Sequence, residues 1–275
     1  MVMAPNRGKM HANLHTTRPA AVAGQFYPAD PERLRAQVQR LLAAASSCSD
    51  FVPKALIAPH AGYVYSGSVA AEAFAALRRI ADTITLVVLI GPAHYVSIAG
   101  IAVPAAQEFE TPLGRVAVDV DTINRLTDLP VVVRSDAPHA PEHALEVELP
   151  FLQVMLPSFK VVPIVVGDAA PRDVATALDK VWGGQGTLIV VSSDLSHYLN
   201  YEAARRMDSA TAAAIERGDW AVLGPHQACG YLAVAGLLIE TERRGLMAQR
   251  LALLNSGDTA GPHDQVVGYG AWMFC

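Results

Sequence analysis

The sequence predicts an α/β protein with a mixed, mainly parallel central sheet flanked by helices. Apolar, β-branched runs, typical of strands buried on both faces of a parallel sheet, alternate with segments whose apolar residues recur at helical spacing. Such alternation indicates a sheet packed between helices. Apolar residues make up 52% of the 275 positions and charged residues 17%, which is enough to build a large core.

We expect residues 1–17 to form a disordered tail and residues 18–275 a single domain. No linker, charge block or change of composition divides the chain. The formal charge of −5, with no basic stripe, argues against a nucleic-acid partner. The apolar run at 228–239 is shorter than the roughly 20 residues that a membrane span needs, so we expect no membrane association. Three scattered cysteines and the lack of a signal-peptide pattern favour a cytoplasmic location.

In the first half of the chain, Asp30 and Pro31 are the expected N-cap and first residue of a helix that ends near Ser46. Ser66 or Ser68 is the expected N-cap of the second helix. The strands predicted here are 55–58, 85–90, 98–103, 116–118 and 131–133, and Asp121 is the expected N-cap of a short helix that ends at Leu126.

In the second half, helical spacing covers 144–156, where Pro150 must kink or restart the helix. Gly218 and Gly245 are the expected ends of two later helices. The helices predicted here are 171–182, 201–217 and 229–244, and the strands are 161–166, 187–191, 251–254 and 266–274.

Three predicted strands are each followed by a histidine just past the carboxyl end. The strands at 55–58, 85–90 and 187–191 are followed by His60, His94 and His197. In open α/β sheets the ligand crevice lies outside the carboxyl ends of the strands. We therefore expect the three imidazoles to converge on a metal site or an acid–base site.

Cys229 is the candidate for a further ligand. Imidazoles suit Zn, Cu, Fe or Ni. Cys229 lies at the predicted start of the helix at 229–244, where the helix N-terminus lowers a thiol's pKa and favours the thiolate. The alternative is a small buried apolar residue, which is the interpretation we give to Cys48 and Cys275.

Two polar patterns leave alternatives open. Asp194 is either a carboxylate that orients His197 for acid–base chemistry or a helix N-cap. His139, Glu142 and His143 match the H-x-x-E-H pattern of inverted zinc peptidases. Pro141 disfavours a regular helix across that motif, so we favour a pocket-lining role for its glutamate and second histidine.

Several segments, in order along the chain, resemble the Memo family, whose bacterial and archaeal members are also called AmmeMemoRadiSam system protein B. They are RPAAVAGQFYP (18–28), APHAGYVYSG (58–67), LIGPAHY (89–95), TPLG (111–114), EHALEVELPFLQ (142–153), SSDLSHY (192–198), ACG (228–230), NSGD (255–258) and VVGY (266–269). The resemblance implies a fold similar to that of class III extradiol ring-cleaving dioxygenases, which are non-haem Fe(II) enzymes.

The resemblance also implies roles for individual residues. It implies metal ligands at His60, His94 and Cys229, with Asp194 beside the metal and His197 as the acid–base residue. A cysteine thus takes the place of the carboxylate that holds iron in the dioxygenases, which favours copper or zinc more than the fold analogy does. Substrate-binding positions are expected at His143, Glu142 and Tyr63.

These expectations give three alternative functions. The first is a dioxygenase-like oxidoreductase that uses a divalent or redox metal, Fe(II) before Cu or Zn, on a small organic substrate. The second is a non-catalytic protein that binds a metal or a peptide, as the signalling roles of vertebrate relatives suggest. The third is a zinc peptidase. The ligand is a small molecule or a peptide in each case, and the sequence leaves the oligomeric state open.

Overall fold

The computed structural model describes residues 16–46 and 51–275, and within them the chain forms twelve strands and seven α-helices. The strands are β1 (Thr17–Arg18), β2 (Ala55–Ala58), β3 (Leu86–Pro92), β4 (Ile101–Val103), β5 (Glu108–Thr111), β6 (Gly114–Ala117), β7 (Val132–Arg134), β8 (Lys160–Val166), β9 (Thr187–Ser192), β10 (His197–Leu199), β11 (Ala248–Asn255) and β12 (Val266–Phe274). The helices are α1 (Pro31–Ala44), α2 (Tyr63–Ala75), α3 (Val120–Leu126), α4 (Leu149–Met155), α5 (Pro171–Val181), α6 (Tyr201–Glu216) and α7 (Tyr231–Arg244).

A large mixed sheet forms the centre of the molecule. Its described strands follow the order β10-β12-β2-β9-β3-β8-β4-β7, and β11 pairs with β12. The four strands β2, β9, β3 and β8 are parallel to one another, whereas β12 runs antiparallel to β2 and β4 antiparallel to β8. This confirms the predicted mixed sheet with a parallel centre. Strands β1, β5 and β6 form a separate, small sheet.

The register of the parallel strands brings their carboxyl ends to one level. Ile57 of β2 and Ile90 of β3 both pair with Val191 of β9. Nearly all side chains of these three strands are buried, because the sheet is covered on both faces. Residues that follow the three strands therefore start from neighbouring points on one sheet edge.

Helices pack on this sheet through small and apolar side chains. Helix α7 lies against β3 and β9 and packs on α5, whereas α2 lies on β2 and β12 and packs on α1. Gly236 allows the close approach of α7 to α5, because a Cβ there would lie 2.5 Å from Cγ1 of Val174. None of the helices in the described ranges has the length and apolar composition needed to span a membrane.

Three predicted helix starts are wrong. Helix α2 begins at Tyr63 after the N-cap Gly62, so Ser66 lies inside it and donates to the carbonyl oxygen of Ala61. Helix α3 begins at Val120 after the N-cap Asp119, so Asp121 lies inside its first turn, and α7 begins at Tyr231, two residues after the predicted start. In each case helical spacing identified the helix, but a polar or small residue nearby was a poor guide to its first turn.

Other expected boundaries are confirmed. Asp30 caps α1 by accepting from the backbone N–H of Arg33 at 2.8 Å. Pro150 restarts a helix: a 3-10 turn at Glu146–Glu148 leads into α4, whose second residue is this proline. Gly245 ends α7 with a positive φ of 69°. Cys48 and the predicted tail lie outside the described residues, except for Thr16 and Thr17, the latter in β1.

Arg18 fastens the N-terminal segment to the loop that precedes α4. Its guanidinium forms a buried ion pair with Glu146. Its Nε donates to the carbonyl oxygen of His139 at 3.0 Å, and its Nη2 donates to the carbonyl oxygen of Glu142 at 2.5 Å. The Glu146 carboxylate also accepts from the Tyr27 hydroxyl and from two backbone N–H groups. Such full pairing is what a buried ion pair needs to be tolerated.

We expect Arg18→Met to lower the free energy of unfolding by about 3–5 kcal/mol, because it leaves the Glu146 charge buried without a cation. The matched control is Arg115→Met, which removes an ion pair with Glu108 from a side chain that is 57% exposed. That loss should be at most about 1 kcal/mol. Urea unfolding measures both, and equal losses would show that the buried pair contributes no more than the surface pair.

Candidate metal centre

Two histidines and a cysteine meet at the sheet edge described above. His60 follows β2, His94 follows β3, and Cys229 lies in the loop before α7. One ligand atom from each lies within 4.8 Å of the other two. Cys229 Sγ is 3.3 Å from His60 Nε2, and the two imidazole centroids are 5.1 Å apart. The predicted convergence of His60 and His94 is therefore confirmed, and the group can hold a metal ion.

His60 offers its Nε2 to this group. Its Nδ1 is hydrogen-bonded to the hydroxyl oxygen of Ser192 at 2.8 Å, which leaves Nε2 directed at Cys229. The ring is buried, and burial lowers the pKa of His60 well below its usual value, with the neighbouring histidines adding to the effect. His60 is therefore neutral at pH 7, which is the form that binds metals.

His94 is oriented by Glu142. The imidazole Nδ1 lies 2.8 Å from Glu142 Oε1, and the backbone N–H of His94 donates to Oε2 at 2.7 Å. A carboxylate only accepts, so Nδ1 carries the proton and Nε2 is left for a metal. Burial alone raises the pKa of Glu142, but the hydrogen bonds from His94 outweigh it and bring the pKa below its usual value. A carboxylate behind a histidine ligand is typical of metal sites.

The Cys229 thiol contradicts one expectation. Burial raises its pKa to about 12, and the nearby Asp194 carboxylate adds to the rise. The helix begins only at Tyr231, and the backbone N–H of its N-cap Gly230 lowers the pKa of the thiol by less than burial raises it, so the expected lowered pKa is wrong. The backbone N–H of Asp194 donates to Sγ at 3.3 Å, which supports a thiolate without compensating for burial. A coordinated cation would supply that compensation, since a metal-bound thiol is deprotonated.

A second group, His94, Glu142 and His143, also has ligand-type atoms within 4.8 Å of one another. Glu142 already accepts three N–H groups, including that of Ala144 at 2.9 Å. The His143 ring stacks on His94 with centroids 4.7 Å apart, and its Nδ1 has no hydrogen-bond partner among the described residues. Three of the roughly four lone-pair sites of Glu142 are therefore taken, so the first group fits a metal better.

The predicted pairing of Asp194 with His197 is not formed. Asp194 Oδ1 accepts from the backbone N–H of His60 at 2.8 Å, whereas His197 Nδ1 lies 2.8 Å from the carbonyl oxygen of Leu195. Asp194 is not a helix N-cap either, because Asn200 caps α6. Burial raises the pKa of Asp194 to about 7, with the hydrogen bond from His60 opposing the rise. Asp194 holds the His60 loop instead of the His197 ring.

His197 presents a free nitrogen to the cavity at this edge. The Leu195 carbonyl only accepts, so Nδ1 carries the ring proton and Nε2 keeps its lone pair. Burial lowers the pKa of His197 below its usual value, which keeps the ring neutral. Tyr198 has a positive φ of 59°, and the pairing of β10 with β12 shifts register between His197 and Leu199. His197 therefore lies at an irregular part of the sheet next to a strained residue, and the Leu195 carbonyl holds its ring.

The cavity has a volume of about 690 Å³. His143 lines it as predicted, but Glu142 is buried behind His94. Tyr63 is buried too, and its hydroxyl donates to the carbonyl oxygen of Val147 at 2.7 Å, so its predicted place in the cavity wall is wrong. The sequence analysis missed the aromatic wall residues Phe26, Tyr65, Tyr95, Tyr198 and Tyr269. All five lie in the segments quoted above, but spacing alone did not show which rings face the cavity.

His139 takes no part in either group of possible ligands. It is buried, and its ring centroid lies 6.0 Å from that of Phe109. The H-x-x-E-H match therefore does not assemble a zinc site from its two histidines. Its first histidine contributes a backbone carbonyl to Arg18 instead.

The fold and the site define an α/β protein with a two-histidine, one-cysteine group that can hold a metal at the carboxyl edge of its sheet. A family model described as Memo-like protein matches residues 18–273. The chain belongs to the Memo family.

Relatives named MEMO1 family protein match over nearly their whole length. The protein of Aquifex aeolicus is 36% identical over 268 residues, which cover 94% of this chain and 98% of the relative. The protein of Nitrosopumilus maritimus is 32% identical over 274 residues, covering 94% and 99%. The protein of Saccharolobus solfataricus is 34% identical over 279 residues, covering 92% and 98%.

We expect each of the variants His60→Ala, His94→Ala and Cys229→Ser to lower the metal affinity. The loss should exceed the factor of about 10–100 that results from removing a residue that only supports a ligand. His143→Gln is the matched control, since it alters a cavity histidine of the second group only, and it should bind metal as the unaltered protein does. Competition with a chromophoric chelator under anaerobic conditions measures all four. If His143→Gln loses as much affinity as Cys229→Ser, the second group holds the metal.

The strain at Tyr198 gives a separate prediction. Glycine adopts a positive φ without a Cβ clash, so Tyr198→Gly should be more stable than Tyr198→Ala by about 1 kcal/mol. Tyr95 also lines the cavity, but its φ is not positive. There the order should reverse, with alanine the more stable. Urea unfolding of the four variants measures both differences, and the same order at both positions would contradict the strain.

Proposed function

We propose that this protein is a metal-dependent oxidoreductase that acts on a small organic substrate. His60, His94 and Cys229 would hold the metal on the cavity floor. The observation that carries the proposal is that this donor group opens into the cavity that also contains the free Nε2 of His197. Donor atoms, room for a ligand and a proton acceptor then lie together.

The donor set favours a transition metal over Mg or Ca, because two imidazoles and a thiolate are soft or borderline ligands. We propose Fe(II), by analogy with the dioxygenases, and take Cu and Zn as the alternatives that a thiolate favours. When bound, iron or copper would supply redox and Lewis-acid chemistry at the cavity floor. A cytoplasmic location, which we also propose, would keep Cys229 reduced.

The cavity fits an uncharged, planar molecule. Its volume of about 690 Å³ is within the range of small-molecule sites. In the described part of the chain no lysine or arginine lines it, so it offers no side-chain clamp for a phosphate or carboxylate. The rings of Phe26, Tyr65 and Tyr95 offer flat apolar surfaces, and Gln265 and Ser256 offer hydrogen bonds.

His197 would accept a proton from the bound substrate at Nε2. Its neutral state and its fixed Nδ1–H prepare it for this role, since a general base must be unprotonated and aimed. Asp194 also lines the cavity, but its Oδ1 accepts from the backbone N–H of His60, so in this proposal it positions the His60 loop. The roles of these two residues are therefore separate in this proposal.

A second candidate is a non-catalytic protein that binds a metal and a peptide. Tyr95 and Tyr198, which line the cavity, are 55% and 72% exposed. Exposed aromatic rings are common anchors for peptides. This candidate and the enzyme differ in turnover alone, so a single assay separates them.

The test is reconstitution of the anaerobically purified protein with Fe(II), Cu or Zn, followed by dioxygen uptake and product analysis with a panel of uncharged phenols. We expect turnover with Fe(II), and His197→Gln should lower it by about 10²–10⁴-fold while metal affinity is kept. The control His226→Gln changes an exposed histidine that does not line the cavity. No turnover with any metal would favour the binding protein, and chelator-sensitive peptide cleavage would favour a peptidase.

A further inference from the structure

We propose that Glu148 is a neutral carboxylic acid that donates its proton to Ser192 and thereby holds the serine in place as the acceptor for His60. Glu148 is then a positioning residue, which acts on the metal site through Ser192. Its effect on metal binding rests on the proposed function, whereas its protonation state is independent of that function.

The argument begins with the three partners of one hydroxyl. Ser192 Oγ lies 2.7 Å from the carbonyl oxygen of Ala144, 2.8 Å from Glu148 Oε1 and 2.8 Å from His60 Nδ1. A hydroxyl has one proton to donate and two lone pairs that accept. The three contacts can all be hydrogen bonds only if two of the partners donate.

The carbonyl decides which partners donate. The Ala144 oxygen can only accept, so the Ser192 proton goes to it. His60 must then donate through Nδ1–H, and Glu148 must donate through a carboxyl proton. If Glu148 were ionised, Ser192 would have one proton for two acceptors, and one buried oxygen would face a lone pair at under 3 Å.

The surroundings of Glu148 favour the neutral form. The residue is fully buried, and none of its described contacts is an ion pair. Burial raises the pKa of Glu148 well above its usual value, and the nearby Asp194 adds to the rise. Its Oε2 has no partner among the described residues. An unpartnered oxygen costs much less on a neutral acid than on a carboxylate.

The neighbouring glutamates of the same segment show the contrast. Glu146 pairs with the Arg18 guanidinium, and Glu142 accepts three N–H groups, two of them from His94. Both therefore have the partners that a buried carboxylate needs. Glu148 has only a hydroxyl, so it is the one of the three that geometry requires to keep its proton.

The consequence reaches the metal ligand. With both lone pairs of Ser192 filled, His60 is fixed as the Nδ1–H tautomer, and its Nε2 lone pair is directed at Cys229 Sγ, 3.3 Å away. Glu142 fixes the His94 tautomer in the same way through a charged oxygen. The two histidines are thus supported by one anionic and one neutral acid.

Infrared spectroscopy of the metal-free protein at pH 7 tests the proton directly. We expect a carboxylic-acid C=O stretch that disappears in Glu148→Gln. Asp194→Asn is the control, because the pKa of Asp194 is raised as well, and the band of Glu148 should remain in that variant. If the band is unchanged in Glu148→Gln, Glu148 is a carboxylate and the proposal is overturned. This result is independent of metal binding and of turnover.

A second experiment tests the positioning role, with chelator competition for affinity and nitrogen NMR of the His60 ring for the tautomer. Glu148→Leu and Ser192→Ala should each weaken Fe(II) or Zn binding by about 10–100-fold and mix the His60 tautomers, and Glu148→Gln should restore both. Ser196→Ala is the control, since its hydroxyl is buried too but takes no part in the described contacts of Ser192 with Glu148 and His60. If Glu148→Leu equals Ser196→Ala in both readouts, Glu148 has no positioning role. If even the unaltered protein binds no metal, the proposed function fails while the infrared result still decides the proton.

Discussion

The candidate metal centre depends on one constraint, which is that the acidic side chains of the segment from His139 to Glu148 are buried and must find partners inside the protein. Glu146 finds Arg18 of the N-terminal segment, and Glu142 finds the ring and backbone of His94. Glu148 has only the Ser192 hydroxyl. Because unpaired buried charges cost several kcal/mol, these choices fix where the segment lies. They also join the N-terminus, two strand ends and the candidate ligands into a single arrangement.

The sheet and the hydrogen bonds contribute different things to this arrangement. Parallel register brings His60 and His94 to neighbouring points, which determines distance. It does not determine which imidazole nitrogen is free, since that depends on the partner of the other nitrogen. Ser192 and Glu142 supply those partners from a strand end and a buried loop. A variant that leaves the sheet intact can therefore still remove a ligand, because it allows the imidazole to change to the tautomer whose metal-facing nitrogen carries the proton.

The sequence was most informative where burial alone determines structure. Strands such as β3 were predicted because an apolar run fits only a sheet interior, and the meeting of His60 with His94 followed from strand order. The predicted pairing of Asp194 with His197 was wrong because Asp194 accepts from the backbone of His60 and the His197 ring bonds to the Leu195 carbonyl. The contact of Ser192 with Glu148 joins residues 44 positions apart, and local spacing carries no signal for it.

Charge balance links the neutral acid to the choice of metal. The thiolate that a metal would form at Cys229 carries one negative charge, and Asp194, whose pKa burial raises to about 7, carries at most one more. A divalent cation balances those charges, whereas an ionised Glu148 would add an uncompensated buried charge. Glu142 does not disturb this balance, because three N–H donors stabilise its charge where it lies. Keeping the proton on Glu148 therefore matches the local charge to a metal of charge two.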